Sequence, residues 1–143
     1  MWALVIILFV ATLAFLNPGE IQNFGGILSG NLSASQIAQY AANAGFSGDD
    51  LAIAVAIALA ESSGNPNANG DTNLTPGGSV GLWQINLAAH PELAQVDLTD
   101  PQTNADAAYA VYAAAGYNFR PWSTYKSGVF AQYLSDAQGA VNA

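Results

Sequence analysis

Apolar residues recur at three- and four-residue spacing through most of the chain, and the elements this pattern predicts are helices. From Ala34 to Ala44 the spacing of Ile37, Tyr40, Ala41 and Ala44 marks one amphipathic helix, with Gly45 at its C-terminal end. A second helix, from Asp49 to about Ser62, carries Ile53, Ile57 and Glu61 on one face and Leu51, Val55 and Leu59 on another. It is apolar nearly all round, so it is expected to be the buried central helix. Ser47 and Asp50 have the spacing of a capping box that would start it. Gly64 to Gly78 is polar and rich in Asn, Gly and Pro, hence a loop, and a long loop inside a compact domain is usually functional. Gly81 to Leu87 reads as one or two helical turns, closed by Pro91. After a turn at Asp100-Pro101, Thr103 and Asp106 predict the start of a helix to about Ala115, burying Ala107, Val111 and Ala114 and stopped by Gly116. An aromatic loop, Tyr117 to Tyr125, leads to a last helix from about Lys126 to Ala137 that packs Phe130, Tyr133 and Leu134. No internal repeat is visible. The expected fold class is all-α or nearly so.

The N-terminus follows a different pattern. Residues 1–16 (MWALVIILFVATLAFL) are uninterruptedly apolar, and as a helix would span roughly 24 Å at ~1.5 Å per residue. A signal peptide would show a positive n-region and a small-x-small cleavage site, and neither is present. A buried core helix would show a polar stripe. The segment is therefore expected to be a transmembrane anchor, with no flanking charge to set its orientation. Residues 17–32 are rich in Gly, Asn and Ser and read as a flexible linker, leaving residues 33–143 as one compact domain.

Charge then narrows the partners. Ten acidic residues stand against Arg120 and Lys126 alone, for a net charge of −8. Nucleic acid is excluded as a partner, because neutralising phosphates needs clustered Lys and Arg. The same shortage of basic residues argues against attraction to anionic lipids or anionic wall polymers. The chain has no cysteine, and its one histidine, His90, has no second His or Cys beside it, so neither a metal nor any other cofactor is expected.

Glu61 is the residue that breaks the local pattern. It closes the most hydrophobic helix, four and eight residues after Ile57 and Ile53. A carboxylate at a helix C-terminus opposes the macrodipole, and one on an apolar face is costly to ionise, so its pKa is expected to rise. A carboxyl held protonated near neutral pH is what glycosidic cleavage uses to protonate the leaving oxygen. The structural alternative is an exposed glutamate at a fraying helix end.

The residues around it choose between these. Glu61-Ser62, Asn65-Pro66-x-Ala68, Gly81-Leu82-Trp83-Gln84-Ile85 and Tyr117-Asn118 follow in order along the chain. The series resembles the lysozyme-like superfamily that includes soluble lytic transglycosylases and goose-type lysozymes. Asp100-Pro101, Asn104-Ala105 and Trp122-Ser123-x-Tyr125 look closer to the lysozyme-like domains of phage virion proteins. The resemblance covers roughly Ser35 to Leu134. It implies a domain that cleaves the peptidoglycan MurNAc–GlcNAc bond, with Glu61 as catalytic acid and Ser62, Gly81, Gln84, Tyr117, Asn118 and Tyr125 as substrate-binding residues. Trp83 in such a domain lines a cleft where many transglycosylases have Met, and with Tyr117, Trp122 and Tyr125 offers flat faces to sugar rings. The ordinary alternative for each aromatic is core packing, which is favoured for Trp122, with Arg120 beside it at the surface.

A hydrolase needs a second carboxylate, and Asp71 is the nearest candidate, although Asn69-Gly70-Asp71 also suits an Asx-turn. A transglycosylase uses the substrate's own C6 hydroxyl and needs one acid. The expectation is a transglycosylase on peptidoglycan glycan strands, held by the anchor with its domain facing the wall, in a phage virion beside other virion proteins. The alternatives are a muramidase using Asp71, a non-catalytic wall-binding or structural virion component, and a bacterial envelope protein.

Overall fold

The computed structural model describes residues 30–143, so the expected anchor, residues 1–16, and residues 17–29 of the expected linker lie outside it. No helix among the described residues is long and apolar enough to cross a membrane. The last linker residues are already tied to the domain. The Leu32 amide donates to the Gly64 carbonyl at 2.7 Å, and Asn31 Nδ2 donates to the Ser63 carbonyl at 3.2 Å.

Helix α1, Ala34–Ala44, starts in a capping box formed by Ser33 and Gln36 and buries Ile37, Ala38 and Ala41. Ser33 Oγ accepts from the Gln36 amide at 3.3 Å, and Gln36 Oε1 accepts from the Ser33 amide at 2.9 Å. Ser33→Ala is expected to cost about 1 kcal/mol, seen as a lower denaturant midpoint at unchanged m-value. Helix α2, Gly48–Ser62, buries Ala52 and every residue from Ala54 to Ala58. Its alanines let neighbours pack close on several sides, and α2 is the central helix that its apolar circumference predicts. The expected Ser47–Asp50 capping box does not form. Asp50 instead accepts a short hydrogen bond from the Tyr112 hydroxyl, 62 residues away.

The stretch after α2 holds a three-stranded antiparallel sheet, β1 (Asn69–Gly70), β2 (Ser79–Val80) and β3 (Ile85–Asn86), in the order β1-β2-β3. Asn69 pairs with Val80 and Gly70 with Ser79, while Ser79 pairs with Asn86 and Val80 with Ile85. The helical turns expected at Gly81–Leu87 are therefore a hairpin. Its turn is set by two residues with positive φ, Gly81 (81°) and Gln84 (46°), and closed by a bond from the Gln84 amide to the Gly81 carbonyl.

A 3-10 turn at Pro91–Leu93 precedes helix α3, Pro101–Ala114. The helix starts earlier than Thr103 because Asp100 is its N-cap, accepting from the Thr103 amide, and Pro101 occupies a position that needs no N–H. Ala107 and Val111 are buried as expected, whereas Ala114 is exposed and Asn104, Ala105, Ala108 and Tyr112 complete the buried face.

The single last helix predicted from Lys126 to Ala137 is three pieces. These are α4 (Ser123–Ser127), a 3-10 turn (Val129–Tyr133) and α5 (Leu134–Val141). Gly128, left-handed at φ 82°, ends α4 and turns the chain. The turn and α5 pack on α2, α1 packs on α3 and α2, and α4 touches α2 near its C-terminus. The fold is mostly helical with a small sheet.

Candidate active site

Glu61 is the penultimate residue of α2 and is half-buried. Thr124 Oγ1, in the first turn of α4, donates to Glu61 Oε1 at 2.7 Å. Burial pushes the Glu61 carboxyl above its usual pKa and is the largest influence. The hydroxyl and amide of Thr124 oppose that rise, and the negative charge of Asp71 adds to it. The rise expected from an apolar surrounding is present.

A chain of buried hydrogen bonds fixes Thr124 relative to Glu61. The Trp83 indole donates to the Ala54 carbonyl of α2 at 2.9 Å, and the Trp122 indole donates to the Trp83 carbonyl at 2.9 Å. Trp122 is the N-cap of α4, two residues before Thr124. Both ends of the chain thus rest on α2, at Ala54 and Glu61, seven residues or about 10 Å apart along the helix axis. Trp83 is wholly buried and offers no face to a sugar, which corrects that reading. Trp122 is buried, Arg120 is exposed, and Leu82 and Ile85 are core residues.

Asp71 stands exposed at positive φ (57°) at the end of β1. Its Oδ2 accepts from the buried Ser79 hydroxyl at 2.9 Å, and Ser79 Oγ in turn accepts from Asn86 Nδ2 at 3.2 Å. The turn that follows is made by the Asp71 backbone carbonyl, which accepts from the Leu74 and Thr75 amides, each at 2.9 Å. The carboxylate is thus braced on the sheet, and its field reaches Glu61.

Ser62 turns its hydroxyl back to the Ala58 carbonyl at 2.9 Å. Gly81 is buried, and what approaches its backbone is the Asn104 side chain and the Leu98 carbonyl. Gln84 braces the sheet, accepting from the Gly70 amide at 3.1 Å and donating to the Ala68 and Gly81 carbonyls. It also borders a cavity of about 280 Å³ with Asn86, His90 and Trp122. His90 Nδ1 lies 3.3 Å from Glu92 Oε1. Among the described residues no group of His, Cys, Asp and Glu could hold a metal ion.

Tyr117 is 65% exposed at positive φ and meets Tyr112 edge-on at 5.7 Å. Tyr112 is in turn tied to Asp50, in the first turn of α2. Asn118 spends its side chain locally, on the Ala115 carbonyl and the Arg120 amide. Tyr125 is half-buried between the rings of Phe119 (5.6 Å) and Phe130 (4.9 Å), next to Thr124 in sequence. The structure thus brings Glu61 together with Thr124 and within the field of Asp71.

A scan against protein families matches residues 38–124 to the family described as Lysozyme like domain. The chain belongs to this lysozyme-like family. Neither the curated proteins nor the solved structures yield a match. The matched stretch runs from α1 to Thr124, so Glu61, Asp71, the hairpin and the start of α4 all fall within the lysozyme-like domain. Membership places it among domains with glycosidase or transglycosylase activity, and peptidoglycan is the substrate it implies.

Thr124 was the unspecified position in Trp122-Ser123-x-Tyr125. The signal that marks it is a hydroxyl residue in the first turn after an aromatic N-cap, and only the fold connects it to Glu61.

Proposed function

We propose that the lysozyme-like domain is a lytic transglycosylase that cleaves the MurNAc–GlcNAc β-1,4 bond with Glu61 as its acid and then its base. The observation that carries this reading is the half-buried Glu61 carboxyl with a raised pKa, its Oε1 held at 2.7 Å by the Thr124 hydroxyl. The protonated carboxyl gives its proton to the glycosidic oxygen as the C1–O bond breaks. The MurNAc C6 hydroxyl attacks C1 and passes its proton to the carboxylate, which leaves a 1,6-anhydro end and restores the acid.

One observation favours hydrolysis as the second reading. Asp71 is braced by Ser79 and its charge acts on Glu61, which supports Asp71 as the second carboxylate of the muramidase alternative. Residues 1–16 as anchor and 17–32 as linker would hold the domain at peptidoglycan without any charge attraction, in a phage virion that breaches the wall alongside other virion proteins.

The test is a digest of purified peptidoglycan by the detergent-solubilised full chain, read by mass spectrometry, with Asp71→Asn beside it. Release of 1,6-anhydro-muropeptides by both supports the transglycosylase. Reducing-end products, lost in Asp71→Asn, establish the muramidase. No products from the folded chain would leave a wall-binding or structural component.

A further inference from the structure

We propose that Thr124 is a positioning residue that decides which oxygen of the Glu61 carboxyl carries the catalytic proton. The inference rests on Glu61 being the acid of the reading above. An oxygen that already accepts a hydroxyl hydrogen bond is a poor site for a proton, because protonating it gives up that bond. Thr124 Oγ1 sits 2.7 Å from Oε1 and so directs the proton to Oε2. Oε1 can accept the same bond as the carbonyl oxygen of the acid and as a carboxylate oxygen of the base. The carboxyl therefore passes between its two roles without turning, and such preorganisation is what a proton shuttle gains from a fixed neighbour.

The fold restricts this role to Thr124. Ser62, the hydroxyl next in sequence to the acid, is spent on the Ala58 carbonyl. Thr124 is tied to α2 through Trp122 and Trp83. Among the described residues, the one charge that acts on Glu61 is that of Asp71, from the loop after β1. On the elements packed around α2, Lys126 of α4 and Asp136 of α5 are exposed, and Tyr125, Tyr133 and Tyr40 are the other titratable groups.

The test compares Thr124→Val, which keeps the shape and removes the donor, with Thr124→Ser, which keeps the donor. Both are made in the full chain and checked for fold by near-ultraviolet circular dichroism. The Glu61 side-chain carboxyl is followed by carbon-13 NMR titration, and peptidoglycan turnover is measured against pH. Thr124 favours the ionised carboxylate, so its removal is expected to move the Glu61 titration, and the alkaline fall of activity, to higher pH. Turnover at the optimum is expected to fall about ten- to hundredfold, the scale of a slightly misplaced catalytic group, mainly in kcat. Thr124→Ser is expected to restore both readouts. If valine does not fold, Thr124→Ala carries the same comparison.

A wild-type chain that cuts, a dead Glu61→Gln and an unmoved Thr124→Val would overturn the positioning role and leave the functional reading intact. A serine variant as impaired as valine would also overturn it, since the donor would then not be the cause. A wild type that cuts nothing sinks the functional reading, and the positioning role with it.

Discussion

Glu61→Gln is expected to lower peptidoglycan cleavage by about 10²- to 10⁴-fold, the range a positioned general acid contributes. The amide has the shape of the carboxyl and an oxygen that can accept from Thr124, so substrate binding should persist while the proton is lost. The same substitution is expected to stabilise the fold, and the direction follows from the raised pKa. The folded chain holds the Glu61 proton more tightly than the unfolded chain does. The stabilisation this gives is full below the ordinary carboxylate pKa and is lost as pH rises through the folded value. Glutamine does not titrate, so the melting temperature of the variant relative to wild type should climb from acid to neutral pH. Thermal unfolding at the two pH values checks this, beside the turnover assay. A variant that still cuts would place the acid elsewhere. A stability difference that does not change with pH would mean that Glu61 is not held in a desolvating site.

What could be read from the chain beforehand divides by the distance over which residues act. The bounds of α1 and the burial of α2 follow from spacing and end residues within a few positions, and both were legible. Glu61 was legible for the same reason, as a carboxylate at the end of an apolar helix. The Ser47–Asp50 capping box has the right local spacing, yet Tyr112 competes for Asp50 from 62 positions away. The hairpin was hidden because strands of two residues are too short to show alternation, and a short apolar run fits helix or strand equally. Trp83 looked like a sugar platform because its indole partner, the Ala54 carbonyl, lies 29 residues earlier. The last helix reads as one piece from the apolar spacing of Phe130, Tyr133 and Leu134, and the left-handed Gly128 that breaks it shows only in the structure. Thr124 meets Glu61 across 63 residues, and no local pattern carries that contact.

Asn104→Ala is expected to be among the most destabilising single changes in the domain, at about 3–5 kcal/mol. Asn104 is 1% exposed on the buried face of α3, where a polar side chain persists only if it is fully bonded. Its Oδ1 accepts from the Trp83 amide at 2.9 Å, and its Nδ2 donates to the Val80 carbonyl at 2.9 Å and the Leu98 carbonyl at 3.0 Å. Truncation removes a partner from three backbone groups at once, and each buried group left unpaired costs on the order of 1–3 kcal/mol. Gly81 shares this site. A Cβ there would lie 2.2 Å from Asn104 Nδ2 and 2.4 Å from the Leu98 carbonyl oxygen, at a φ of +81° that other residues rarely adopt. Gly81→Ala is therefore also expected to be costly. Asn104→Ala relieves the first of its two clashes, so the double variant should lose less than the sum of the single losses. Denaturant midpoints at constant m-value measure all three. The consequence reaches the acid, because Asn104 holds Trp83, Trp83 holds Trp122, and Trp122 opens the helix that carries Thr124. Folded Asn104→Ala, assayed well below its melting point, should therefore cut more slowly although it touches no part of the candidate site. Unchanged turnover in that variant would mean that the Glu61–Thr124 pair keeps its geometry without the chain of bonds beneath it.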